Sequence, residues 1–352
     1  VSAVAWRRAH GPITLCTTTR GLKFAQTTKL ADLYDGVSCA LDRVDVDPQA
    51  CWAAGKLFAL ADIPAPVVCL DLDTVVWQPL SLTADAGWGH DEPGDTPWYR
   101  GNRRRYGKWL PKAFDRADLW RLPVANTCLL SLRDSRLQDF YLQTAIDWMR
   151  KFTAAKPRGR RAKLTAMVFA EQQLLPMCCA LKQATTQAFG ELTFAFGQPH
   201  LKWNPNFSHL WNSKAIYLAH WRSLRSYCDY LAAYLRRHGT AAAAQLAEKV
   251  AGQLDDYEAR HAAQLAAQHR RVCARYPVLS FLEGELYIQE PNLPAPKRAR
   301  LGDTLMPWEV LKAAKGCKFK LTVNGKLYCE ADGARVKAYR SHFKIPLKPG
   351  LR

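Results

Sequence analysis

The sequence predicts an α/β protein: a mixed sheet flanked by helices, then a helical segment, then a small basic α+β appendage. Three observations predict it. Short apolar runs alternate with helically spaced ones through the first half of the chain. After about residue 225 alanine dominates and the apolar residues recur at helical spacing, whereas the last block alternates apolar and polar residues around an Asn-Gly pair. The boundaries read from these changes are 1–225 for a catalytic domain, 226–277 for the helical segment and 278–352 for the appendage. At 352 residues with 48% hydrophobic content, the chain can bury a sizeable core.

From the amino terminus, ITLCTT reads as a strand, GLKFAQTTKLADLY and WAAGKLFALAD as helices, and PVVCLDLDTVVW as a buried strand, a βαβ-like alternation that favours mostly parallel pairing. Residues 98–120, rich in Arg, Lys and aromatic rings without a period, read as a long loop with one turn of helix. VANTCLLSL is a strand, LQDFYLQTAIDWMRKF an amphipathic helix, and AKPRGRRAK an exposed basic loop. AEQQLLPMCCALKQ is a helix that contains Pro176, and KAIYLAHW is a strand ending in His220. In the helical segment Leu246, Val250, Leu254, Tyr257, Leu265 and Val272 mark a packing face, Thr240 after Gly239 a cap between two helices, and Pro277 a stop. Asn324 and Gly325 in LTVNGKLYCE give a hairpin signal.

Charge and cysteine content narrow the function classes. Fifty Lys and Arg against 31 Asp and Glu give a formal charge of +19, so the surface attracts polyanions. Nucleic acid, anionic membrane and phosphorylated substrates all exert that pull. From Lys312 to Arg352 eleven basic residues face two acids, which supplies nearly half of the surplus. The eleven cysteines form no CxxC pair and no disulfide-like spacing, which points to a reducing compartment. Arginines interrupt the start, VSAVAWRRAHGPITL, and no apolar run approaches the ~20 residues of a membrane span. A cytoplasmic protein without an integral membrane segment is the expectation.

The chemistry-bearing feature is the aspartate pair Asp71 and Asp73. In an α/β sheet the ligand lies beyond the carboxyl ends of the strands, which is where this pair falls. Extended backbone would turn both carboxylates to one divalent cation, with Leu72 in the core. Hard oxygen ligands suit Mn²⁺ or Mg²⁺. A second copy, Asp45 and Asp47 in LDRVDVDPQ, has no buried strand before it and reads as a surface turn.

Taken together, residues 10–225 resemble the nucleotide-diphospho-sugar transferase fold called GT-A, especially family 8 enzymes of the glycogenin and bacterial galactosyltransferase type. WAAGKLFAL followed by VVCLDLDTVVWQPL looks like the family's helix and metal strand. The resemblance implies Asn126 near the donor sugar, Glu171 and Gln172 by the anomeric carbon, and His220 in IYLAHW as third metal ligand. His209 in HLWNSK is the alternative ligand, and Lys214 a contact to the donor diphosphate. Trp221, Arg222 and Ser223 stand where the family has Gly and Lys-Pro-Trp. The resemblance also implies the reaction: transfer from a nucleoside diphosphate sugar, a UDP-sugar first, to a hydroxyl with retention at the anomeric carbon. An inverting enzyme would instead need a base near the acceptor, for which Asp91 and Glu92 are available.

The acceptor is read from the basic segments. WYRGNRRRYGKW interleaves Arg103, Arg104 and Arg105 with rings including Trp109, a composition suited to phosphates and unpaired bases. Arg158, Arg160 and Arg161 form a second patch and the tail a third. Together they favour DNA carrying a hydroxymethylated base as acceptor. The alternatives are a polysaccharide or lipid-linked glycosyltransferase at the cytoplasmic membrane face, and an inactive transferase-like nucleic-acid binder.

Overall fold

The computed structural model describes the chain except residues 52, 97–98, 156–164, 196–197, 203, 212–220, 274–275, 290–291, 306–308, 315, 324–325, 333–334, 339–346 and 350–352. It is a mixed α/β structure with several small sheets. Helix α1 (Ser2–His10) precedes a parallel strand pair, β1 (Thr14–Cys16) and β2 (Gly36–Ser38), which flanks α2 (Thr19–Thr27). Helix α3 (Ala54–Asp62) then leads into β3 (Val67–Leu70) and β4 (Thr74–Val76).

The sheet that matters for the site is completed by β5 (Ala86–Glu92), β6 (Val124–Leu132) and β7 (Thr186–Gly190), in the order β3-β6-β5-β7. Strand β6 is antiparallel to both neighbours whereas β5 and β7 are parallel, so β6 alone is reversed. Every residue of β6 is buried, which explains the near-continuous apolar run VANTCLLSL. Leu130 and Leu132 face the main core with α3 and α5 (Ser135–Ala154), and Leu129 faces a smaller core with Trp6, Val76 and Phe207. Asp134 caps α5 by accepting a hydrogen bond from Leu137 N at 2.6 Å. The helix buries the stripe Leu137, Tyr141, Ala145, Trp148 and Phe152, the three-and-four spacing of a half-buried helix.

Beyond β7 come β8 (Leu192–Ala195), β9 (Gln198–Leu201) and β10 (Phe207–His209). Strand β10 returns to pair antiparallel with β4. Between β5 and β6, the described residues 99–121 form α4 (Asn102–Tyr106) and three short 3₁₀ turns rather than one turn in a loop. The segment around Pro176 is α6 (Leu174–Lys182), preceded by a π-helical turn over Phe169–Gln173. Pro176 cannot donate to the carbonyl one turn back and crowds it, and the widened turn lies where that strain falls.

Two helices come next, α7 (Trp221–His238) and α8 (Ala241–Cys273). Helix α7 begins at residue 221, a few residues before the boundary expected at 225. Thr240 caps α8, accepting from Ala243 N at 3.3 Å, as its position after Gly239 predicts. Residues 278–352 hold two further four-stranded sheets around a separate apolar cluster that includes Leu279, Ile288, Phe319 and Leu321. There the strand Lys318–Val323 pairs with Lys326–Asp332, Val323 opposite Lys326. That is the hairpin predicted from Asn324 and Gly325, which themselves lie outside the described residues. Among the described residues no helix is long and apolar enough to cross a membrane.

Candidate metal centre

Asp71 and Asp73 do not lie on one extended strand. The chain turns between β3 and β4: Thr74 N donates to Asp71 O at 3.0 Å, and Leu72 at the tip is 85% exposed instead of buried. A strand that must leave the sheet after Leu70 and pair with β10 from Thr74 has only these three residues in which to redirect, so Leu72 goes outward. The two carboxylates converge nonetheless. Asp71 N is held by Cys128 O at 2.7 Å, and Leu210 N donates to Asp73 O at 3.1 Å.

The β4–β10 pairing sets His209 opposite Thr74 and so beside Asp73. His209 Nε2 lies 3.5 Å from Asp73 Oδ2, and one ligand atom from each of Asp71, Asp73 and His209 falls within 4.8 Å of the others. His209 is buried and its Nδ1 has no hydrogen-bond partner. Burial works against charge on this imidazole, but Cys128 and the Asp73 carboxylate outweigh it and raise its pKa to about 10. Two carboxylates and an imidazole fit a divalent cation of the Mn²⁺ or Mg²⁺ kind.

A second feature was not visible in the sequence. Lys56, from the first turn of α3, reaches Asp71 Oδ1 at 2.6 Å and Glu171 Oε1 at 2.5 Å, and donates to Thr127 O at 3.0 Å. Thr127 Oγ1 donates to the same Glu171 oxygen at 2.6 Å, and Tyr141 Oη to the Glu171 carbonyl at 2.7 Å. Glu171 is 3% exposed, and burying its charge is tolerable only because Lys56 compensates it. Burial opposes the charge on Lys56, yet Glu171 and Asp71 together hold its pKa above the ordinary value. Asp71 is shifted upward, first by burial and then by Glu171 and Asp73 against the pull of Lys56.

No family model, no curated protein and no solved structure matches this chain.

The site continues away from the aspartates. Asn126 Nδ2 donates to Glu92 Oε1 at 2.7 Å, and Tyr99 Oη lies 2.7 Å from Glu92 Oε2 and 3.0 Å from Gln172 Oε1. The single phenol proton is best placed on the carboxylate, so the Gln172 amide meets that oxygen with its NH₂ face. On β5 itself, His90 is fully buried and neither ring nitrogen has a hydrogen-bond partner among the described residues. Its ring lies 4.9 Å from Trp211 and 6.3 Å from His209, and burial together with the His209 charge lowers its pKa to about 3.

Asp71, Asp73, Asn126, Glu171 and Gln172 thus gather at one end of the sheet, with His209, the alternative histidine. His220, Lys214, Arg158, Arg160 and Arg161 lie outside the described residues. The aromatic loop differs from the expectation of open stacking rings. Tyr99 and Tyr106 are buried, and Trp109 packs edge-on against Trp148 and Phe152 with Lys108 over its ring at 4.5 Å. Apolar rings in this loop anchor it to α5, which is why the basic residues between them are left outside. Arg103, Arg104 and Arg105 are exposed on α4, with Arg103 Nη2 on Asp115 O at 2.6 Å.

Proposed function

We propose that this chain is a glycosyltransferase of the GT-A kind, using a nucleoside diphosphate sugar and a divalent cation held by Asp71, Asp73 and His209. The observation that carries the reading is the convergence of those three ligands where β3 leaves the sheet, next to the buried pair Lys56–Glu171. A cation bound there supplies positive charge to a donor diphosphate as the sugar departs. The protein's part is positioning. Lys56 fixes the Asp71 carboxylate and neutralises Glu171, and Thr127 locks Glu171 in place. Asn126 and Gln172, chain neighbours of Thr127 and Glu171 held by Glu92 and Tyr99, carry amides for the sugar. The order of the Asp pair, Asn126 and Glu171 along the chain supports the same reading.

The acceptor is a hydroxyl compound. The +19 charge supports a polyanion, with hydroxymethylated DNA as the first candidate. The test is incubation with Mn²⁺ and a panel of sugar nucleotides, with and without hydroxymethylated DNA. We expect release of nucleoside diphosphate from one donor, abolished by chelator. Turnover unchanged in excess chelator, or none with any donor, overturns the proposal.

A further inference from the structure

Glu92 ends β5 and lines a cavity of about 660 Å³ whose wall includes Tyr99, Asn102, Trp120 and Gln173, with Arg103 and Arg121 at its edge. Asn102 is fully buried there. Its Nδ2 donates to Gln173 Oε1 at 2.8 Å, while its Oδ1 is buried behind the wall with no partner among the described residues. The residues that line the cavity include none of the candidate metal ligands; the cluster of Asp71, Lys56 and Glu171 meets the cluster of Gln172, Tyr99 and Glu92 along the chain, where Glu171 precedes Gln172.

The carboxylates around the site differ in what compensates them. Asp71 and Asp73 face the candidate cation, and Glu171 is neutralised by Lys56. Asp91 is exposed and accepts from Trp88 Nε1 at 2.8 Å. Glu92 is half-buried and held by two neutral donors, Asn126 on Oε1 and Tyr99 on Oε2, and makes no ion pair among the described residues. Neutral donors orient a carboxylate without pairing it with a cation, and each oxygen keeps a further lone pair for a third donor. A hydroxyl entering the cavity is such a donor.

We infer that the cavity is the acceptor subsite and that Glu92 is the general base of an inverting transfer, an inference that rests on the glycosyltransferase reading. The acceptor O–H gives its proton to Glu92 while that oxygen bonds to the anomeric carbon. The bond from that carbon to the diphosphate oxygen breaks, and the diphosphate leaves with the electron pair. A base on a cavity whose lining holds none of the candidate metal ligands suits attack from the face opposite the leaving group. Retention by front-face transfer has no use for it.

The test uses full-length protein with Mn²⁺ and the α-configured donors UDP-glucose, UDP-galactose and UDP-N-acetylglucosamine, with water as acceptor. Nuclear magnetic resonance before mutarotation should find the β-anomer released. Glu92→Gln, which keeps a planar group of the same size for Asn126 and Tyr99, should lower turnover by about 100-fold or more with unchanged Mn²⁺ and UDP binding. Azide, a nucleophile that needs no base, should restore turnover in Glu92→Ala and yield a glycosyl azide. Release of the α-anomer, or turnover by Glu92→Gln within threefold of wild type, overturns the role of Glu92 and leaves the transferase reading standing. No turnover of any donor by the wild type overturns both.

Discussion

Lys56 has two buried or half-buried acids within 2.6 Å, and its removal isolates negative charge inside the protein. Breaking such a buried pair from one side costs about 3–5 kcal/mol, much more than an exposed ion pair contributes. Lys56→Met should therefore destabilise by about that amount in urea unfolding, and adding Glu171→Gln should recover part of the loss. A Lys56→Met protein within about 1 kcal/mol of wild type would show that the network is not held by charge balance. The sequence marks a Lys-bearing helix before the aspartate strand, but the pairing of Lys56 with Glu171, far along the chain, was not legible in it. The aspartate pair was legible because an apolar run stops on it. The turn through Leu72 was not, because it depends on β10, a segment far along the chain.

Among the elements, α3 and α5 could be read from periodicity, since each buries one continuous stripe. Strand β5 could not. AGWGHDE has two glycines and two acids and little β-propensity of its own, and it is a strand because β6 and β7 pair with it on either side. Its glycines have a local reason. Between Trp88 and His90 the register with β6 is broken, leaving Thr127, Cys128 and Leu129 opposite Gly89. This irregularity presents Thr127 to Glu171 and Asn126 to Glu92. A Cβ at Gly89 would overlap Cys128 Sγ and press on the Asn126 carbonyl at 3.1 Å. Gly89→Ala should destabilise by about 1–3 kcal/mol and lower turnover more than a stability loss of that size explains. A variant that is less stable but fully active would detach the irregularity from the site. The hairpin around Asn324 and Gly325 was legible for the opposite reason, its signal being local in sequence.

At the scale of the whole molecule, the candidate metal ligands come from two distant segments, 71–73 and 209, that meet only through the β4–β10 pairing. Binding to the folded form alone stabilises it, by about 2.7 kcal/mol at a hundredfold excess over the dissociation constant. Mn²⁺ should raise the unfolding midpoint of the wild type, and Asp73→Ala and His209→Ala should lose that increment. The increment should shrink as pH falls, because His209, with its pKa raised to about 10, must give up its proton to accept the ion. A midpoint shift retained in both variants would place the ion elsewhere. The β4–β10 pairing also orders events in time. During synthesis the aspartates emerge long before their histidine, so the nascent chain can make the sheet through β7 and still lack the third ligand of the proposed cation. On that reading, capture of the ion reports that the late strand has docked. On the proposed reading, a chain that loses the ion is held at that strand by the β4–β10 pairing alone, and limited proteolysis with and without Mn²⁺ should cut there first in the chelated protein.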